Sequence, residues 1–117
     1  MLRGMHDRVN LDQQMLHGHL TVLILALLDR TPLHGYALRQ KLPDLTGGRI
    51  TTTFGRLYPL LADLEKRGFV TRSNKTVGEA RIQTIYTITS TGRKELDLLR
   101  FKWERFSTAM HAILGSG

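Results

Sequence analysis

Residues 51–68 read Thr-Thr-Thr-Phe-Gly-Arg-Leu-Tyr-Pro-Leu-Leu-Ala-Asp-Leu-Glu-Lys-Arg-Gly. Phe54, Leu57, Leu60, Leu61 and Leu64 recur at steps of three and four, so one face of a helix is apolar. The threonines supply an N-cap, and Lys66-Arg67-Gly68 is a stop signal with cations at the negative end of the dipole. Pro59 removes one hydrogen bond and pushes Tyr58 away from helical angles. Either two short helices meet there or one helix bends; the apolar face continues through the proline, which favours the bend. The first half also carries Thr51, Thr52, Thr53 and Arg56, short donors plus one guanidinium fork. Such a face suits phosphates and base edges. It also suits an ordinary capped core helix with a solvated side.

Upstream, Leu16 to Asp29 reads as a buried helix, because Leu20, Val22, Leu23, Ile24, Leu25, Leu27 and Leu28 leave almost no polar face. Thr31-Pro32 ends it. A second helix is expected from about His34 to Leu42, with Pro43 as its stop and Asp44 to Arg49 as a loop around Gly47-Gly48. Residues 1–15 are polar and weakly patterned, an arm that only packing would order.

Downstream the period changes to two. Phe69 to Ser73 reads as a short strand, Asn74 to Ala80 as a turn, and Arg81 to Ile88 as the returning strand. Arg72, Lys75 and Arg81 put cations around the tip of this hairpin. Thr89 or Ser90 then caps a last helix, roughly Gly92 to Leu114, and residues 115–117 are a tail. Leu96, Leu99, Trp103, Phe106, Met110 and Ile113 fall along it at alternating steps of three and four. That is a heptad seam on a helix roughly 34 Å long, expected to pair with a second copy.

The chain has 117 residues, enough for one modest core. Its formal charge is +7, and the charge is concentrated. Ten Lys/Arg against four Asp/Glu lie between Arg30 and Arg81, so +6 sits in the middle and +1 at the two ends together. A polyanionic partner is expected. Cysteine is absent, which excludes disulfides, thiolate chemistry and Cys-ligated zinc and fits a reducing cytoplasm. The apolar run from Leu20 to Leu28 is far shorter than a membrane span of roughly 20 residues. His17-x-His19 points in two directions on a helix and has no Cys or carboxylate cluster near it, so neither a metal nor a cofactor is expected. No Gly-rich phosphate loop, based nucleophile or apolar carboxylate pair suggests an enzyme.

Three helices followed by a hairpin is the order of a winged helix-turn-helix, with the third helix in the major groove and the hairpin, or wing, along backbone or minor groove. The expected architecture is therefore mostly α with a small β-hairpin. The winged domain occupies residues 16–90 and a dimerisation helix occupies residues 91–114.

Particular motifs sharpen this. Leu16 to Leu28, Leu33-His-Gly-Tyr-Ala-Leu38, Gly55-Arg-Leu-Tyr-Pro-Leu-Leu61, Leu64-Glu-Lys-Arg-Gly-Phe-Val70 and Tyr86-Thr-Ile-Thr-Ser-Thr-Gly92 resemble the PadR family of transcriptional regulators, in its shorter branch. The resemblance implies a homodimer joined by the last helix and bound to inverted-repeat double-stranded DNA operators, usually as a repressor. Tyr36 and Tyr58 match the family's motif tyrosines, which makes them candidates for phosphate contact; each ring also suits a plug between helices. Arg56 stands where the family commonly has threonine, so phosphate and guanine are both open to it. The resemblance extends to shorter members that are similar to multidrug sensors, whose paired tryptophans sandwich flat aromatic compounds between subunits. Trp103, with Leu99 and Phe106, is the matching candidate pocket, and plain dimer core is its other reading. Two further functions stay open: a DNA-binding regulator without an effector, and a winged module that binds protein.

Overall fold

The computed structural model describes residues 19–79 and 81–115. The expected arm at residues 1–15, the first residues of the buried helix, and Ser116-Gly117 of the tail lie outside them. The described elements are α1 (Leu20–Arg30), β1 (Leu33–His34), α2 (Gly35–Thr46), α3 (Phe54–Lys66), β2 (Val70–Val77), β3 (Arg81–Ile88) and α4 (Ser90–Leu114). The strands form one antiparallel sheet in the order β1-β3-β2.

Leu20, Ile24, Leu25, Leu27 and Leu28 of α1 are buried against Leu38 and Leu42 of α2 and Leu57, Leu61 and Leu64 of α3, with Val70, Tyr86, Ile88 and Leu96 closing the core. Thr31 ends α1 in extended backbone because the ring of Pro32 excludes the helical region for the residue before it. Leu33 and His34 then pair with Tyr86 and Ile85 as β1. Two residues carry no periodic signal, so this strand is invisible without its partner.

Pro43 does not stop α2; the helix runs on to Thr46. The missing N–H removes one hydrogen bond, and the last turn is closed by other means. Gly47 is left-handed at φ 62°, the Gly48 N–H donates to the Pro43 carbonyl at 2.9 Å, and the Thr46 hydroxyl donates to the Leu42 carbonyl at 2.6 Å. Proline is similarly tolerated inside α3, which is one continuous helix. The carbonyl that Pro59 leaves unpaired belongs to Gly55, exposed in the first turn where water can satisfy it. α3 begins at Phe54 rather than in the threonines: Thr53 is its N-cap, and Thr51 and Thr52 belong to the approach.

The hairpin is longer than its alternation suggests. β2 reaches Val77, through the segment expected to turn, so Lys75 stands on a strand opposite Gln83. At the other end, the wing and α4 are joined tightly. The Thr89 N–H donates to the Phe69 carbonyl at 3.0 Å, and its hydroxyl donates to the Gly68 carbonyl at 2.6 Å and caps the Gly92 N–H at 2.9 Å. Gly92 is buried there because a Cβ would run into the Phe69 carbonyl and Ile88. The start of α4 is thus fastened to the end of α3.

Beyond Leu99, α4 leaves the core. Trp103, Phe106, Met110 and Ile113 are 49, 56, 41 and 87% exposed, whereas Leu96 is 1% exposed. Leu96, expected in the seam, therefore belongs to the chain's own core, and Leu99 is half-buried against it.

Candidate nucleic-acid interface

α3 buries Leu57, Leu61 and Leu64 and turns Arg56, Tyr58 and Pro59 outward. The Thr53 Oγ1 accepts the Arg56 N–H at 3.2 Å, which satisfies one orphan donor of the first turn and exposes that turn end-on. Thr51 is exposed beside it. Thr52 is not: it is 5% exposed, and its Oγ1 has no hydrogen-bond partner among the described residues. The three threonines read alike in sequence, and packing separates them. Thr51 and Thr53 face outward, and Thr52 faces the core.

One residue that the sequence reading passed over holds this approach in place. The Arg39 Nε of α2 donates to the Thr52 carbonyl at 3.0 Å, and its guanidinium lies 4.7 Å from the centre of the Phe54 ring. It ties the first helix of the motif to the entry of the second. Its signal in sequence, one arginine in an amphipathic helix, is not distinctive.

Tyr36 is 61% exposed and does not plug a gap between helices, whereas Tyr58, 45% exposed, packs one side of its ring against the start of α2 and leaves the other open. They flank Phe54 in a row of rings, with centroids 6.3 and 5.5 Å from it, and His34 adjoins Tyr36 at 6.4 Å. The His34 Nδ1 accepts the Ala37 N–H at 3.1 Å and caps α2, which fixes the imidazole and aims the helix start at the same surface. Between this row and the wing lies an open cleft of about 780 Å³, lined by Tyr36, Tyr58, Arg72, Ile82 and Tyr86 among others.

The wing cations divide. Arg72 stands at the base opposite Tyr86 and pairs with Glu65 at 3.5 Å. Arg81 and Lys75 lie further out, exposed, and with Arg56 they make no ion pair among the described residues. Burial pushes the Tyr86 phenol above its ordinary pKa, with Arg72 opposing the shift. Tyr86 is therefore a neutral wall of the cleft, not a charge. The three expected tip cations are thus two outer ones and one at the base that is ion-paired and borders the cleft.

The three effector-pocket candidates meet in a second groove. Leu99, Trp103 and Phe106 line a groove of about 380 Å³ between α1 and α4, together with Val22, Glu95, Lys102 and Arg67. Arg67 is the C-cap of α3, so the groove touches the far end of the helix whose start carries Arg56.

An exposed, capped third helix beside a basic two-stranded wing defines a winged helix-turn-helix protein. Residues 24–98 match the Transcriptional regulator PadR-like family. The chain belongs to that family. It is 35% identical over 66 residues to the transcriptional regulator YqjI of Escherichia coli (strain K12), which covers 56% of this chain and 32% of that one. The chain thus spans about a third of the length of the curated relatives it matches. Among solved structures, a PadR-like regulator from Bacillus cereus superposes with a TM-score of 0.77 at 28% identity, covering 89% of this chain and 99% of that one. Bacillus subtilis PadR, solved in complex with operator DNA, superposes at 0.63 with 31% identity, covering 68% and 45%. Among the described residues no helix is long and apolar enough to cross a membrane.

Proposed function

We propose that this chain is a cytoplasmic DNA-binding repressor that grips an inverted-repeat operator as a homodimer and is released by a small planar aromatic effector. The observation that carries the DNA reading is the common border of Tyr36, Tyr58 and the wing on one open cleft, with Arg56 beside it on the same helix. Arg56, Lys75 and Arg81 lack internal partners among the described residues and are available to phosphates; Thr51 and the Thr53-capped helix start add polar groups at the reading end. Solvated surface cations alone would not fall together on a reading helix and its wing. The B. subtilis relative bound to operator DNA supports the same reading.

Dimerisation is supported by the bare half of α4. Four large apolar side chains, Trp103, Phe106, Met110 and Ile113, stand in solvent at heptad spacing. Across a two-fold axis they become eight, and covering them is worth about 10 kcal/mol. That magnitude is what offsets an association cost of about 4–15 kcal/mol. Leu99 and Phe106 join the seam to the Trp103 groove, so pairing and effector binding share residues. A guest in that groove presses on Arg67 at the end of α3 and on the helix that sets the spacing of the two reading helices. It releases DNA only by binding the wrong spacing better than the right one.

The deciding experiment is anisotropy of labelled duplex DNA titrated with the full chain over a range of salt. The expected result is salt-dependent binding, saturating at two chains per selected site. A flat titration against both random and enriched duplexes refutes the reading.

A further inference from the structure

β3 turns Tyr86 and Ile88 into the core, where they are 6 and 4% exposed. Strand alternation puts Thr84 and Ile82 on the same face, and the register adds Arg72 at the base, beside Tyr86, and Asn74 and Thr76 further out on β2. Ile82 is 66% exposed, so this face has left the core by the time it reaches Ile82. A lone exposed aliphatic is ordinary on a protein surface. The position of this one is informative. It borders the cleft that Tyr36 and Tyr58 share, and its neighbours on the face are small and neutral. Thr84 even spends its hydroxyl internally, donating to the Asn74 Oδ1 at 3.2 Å. Lys75 and Arg81 alternate onto the opposite face, and Arg81 also borders the cleft beside Ile82.

A ribbon whose outer half presents an uncharged inner face, with a paired arginine at its base and cations behind it, fits the minor groove: the cations reach the phosphate walls while the aliphatic side chain meets sugars and floor. The floor there distinguishes only one thing. A G·C pair carries the guanine N2 amino donor, and an A·T pair does not. Ile82 has no acceptor to offer, so a guanine beneath it keeps a desolvated, unpaired donor. Resting on the DNA-binding reading above, we infer that Ile82 is a specificity-determining residue, through which the wing selects A·T pairs in the minor groove flanking the contact of α3.

The test starts from duplexes enriched out of a random pool by the full chain; the most enriched one is the probe. Replacing flanking A·T pairs by G·C at the wing position weakens binding by about 5- to 20-fold. Inosine·C at the same position restores it to within about 2-fold, because inosine keeps the major-groove edge of guanine and lacks the N2 amino group. Ile82→Asn supplies an acceptor and reduces the G·C penalty to about 2-fold or less, while binding to the A·T probe persists and shows that the variant folds. Flanks indifferent to G·C, a penalty that inosine does not relieve, or a penalty unchanged in Ile82→Asn each overturn this inference alone. A chain that enriches no duplex overturns the DNA-binding reading and this inference with it.

Discussion

The Tyr58 ring lies over the bare Cα of Gly35: a Cβ built there would sit 2.5 Å from the Tyr58 Oη and 2.8 Å from its Cε1 and Cζ. The His34-Gly35-Tyr36 and Leu57-Tyr58-Pro59 motifs are therefore two halves of one contact. Glycine at the start of α2 makes room for the ring, and the ring stacks on Phe54 with an interplanar angle of 23°.

Gly35→Ala should accordingly displace Tyr58 and cost about 1–3 kcal/mol of stability, the usual cost of overpacking. In Tyr58→Ala the same Gly35→Ala change should cost far less. Chemical denaturation of the four proteins of this cycle measures the coupling. Additive effects would show that the ring simply swings into solvent.

Thr52→Val should stabilise the fold by up to about 1 kcal/mol. The valine keeps the shape and removes a buried hydroxyl that has no partner among the described residues. DNA affinity should not change, because the side chain faces the core. A loss of stability in the melt would mean that the hydroxyl is satisfied after all.

Phe106→Glu places two like charges across the proposed two-fold axis at a cost of several kcal/mol to the assembly. Since Phe106 is 56% exposed within one chain, the variant should stay folded while it dissociates. Sedimentation with circular dichroism separates these outcomes. A folded variant that remains a dimer sinks the assignment of the seam.

Lys75→Ala should weaken binding to every duplex and flatten the log–log salt dependence by roughly 0.9 per lost phosphate contact, doubled in a symmetric dimer. Arg56→Ala should do the same if its fork holds phosphate, and should relax base preference at one operator position if it holds guanine. Salt titrations on two operator variants tell these apart. Unchanged affinity in both variants would favour a protein-binding role.

Trp103 is the chain's only tryptophan and lines the groove beside α1, so its fluorescence reports that site without a label. Planar cationic and phenolic compounds should quench it, and a true inducer must bind more weakly when operator DNA is present. Quenching that ignores DNA, or none at all, makes Trp103 dimer core and leaves the regulator without an effector here.

Local periodicity was enough to identify most of this molecule. The apolar steps of α3, its threonine cap, the hairpin alternation and the heptads of α4 all report a face and a period, and those are properties of neighbouring residues. The charge between Arg30 and Arg81 likewise points to a polyanionic partner, and that too is a property of the sequence alone. Which neighbour covers each face is a different question, because it depends on contacts between distant parts of the chain. Leu96 and Trp103 share one seam in sequence, yet α1 covers the first and leaves the second half-exposed. Thr51, Thr52 and Thr53 are chemically identical, and only the angle at which the chain enters α3, held by Arg39, sends the middle one inward. Pro43 reads as a stop, but glycines and a threonine three residues away close the turn without its N–H, two of the bonds ending on the Pro43 carbonyl. β1 exists only because β3 is there to pair with it, and the reason for Gly35 lies 23 residues further on, in the ring of Tyr58.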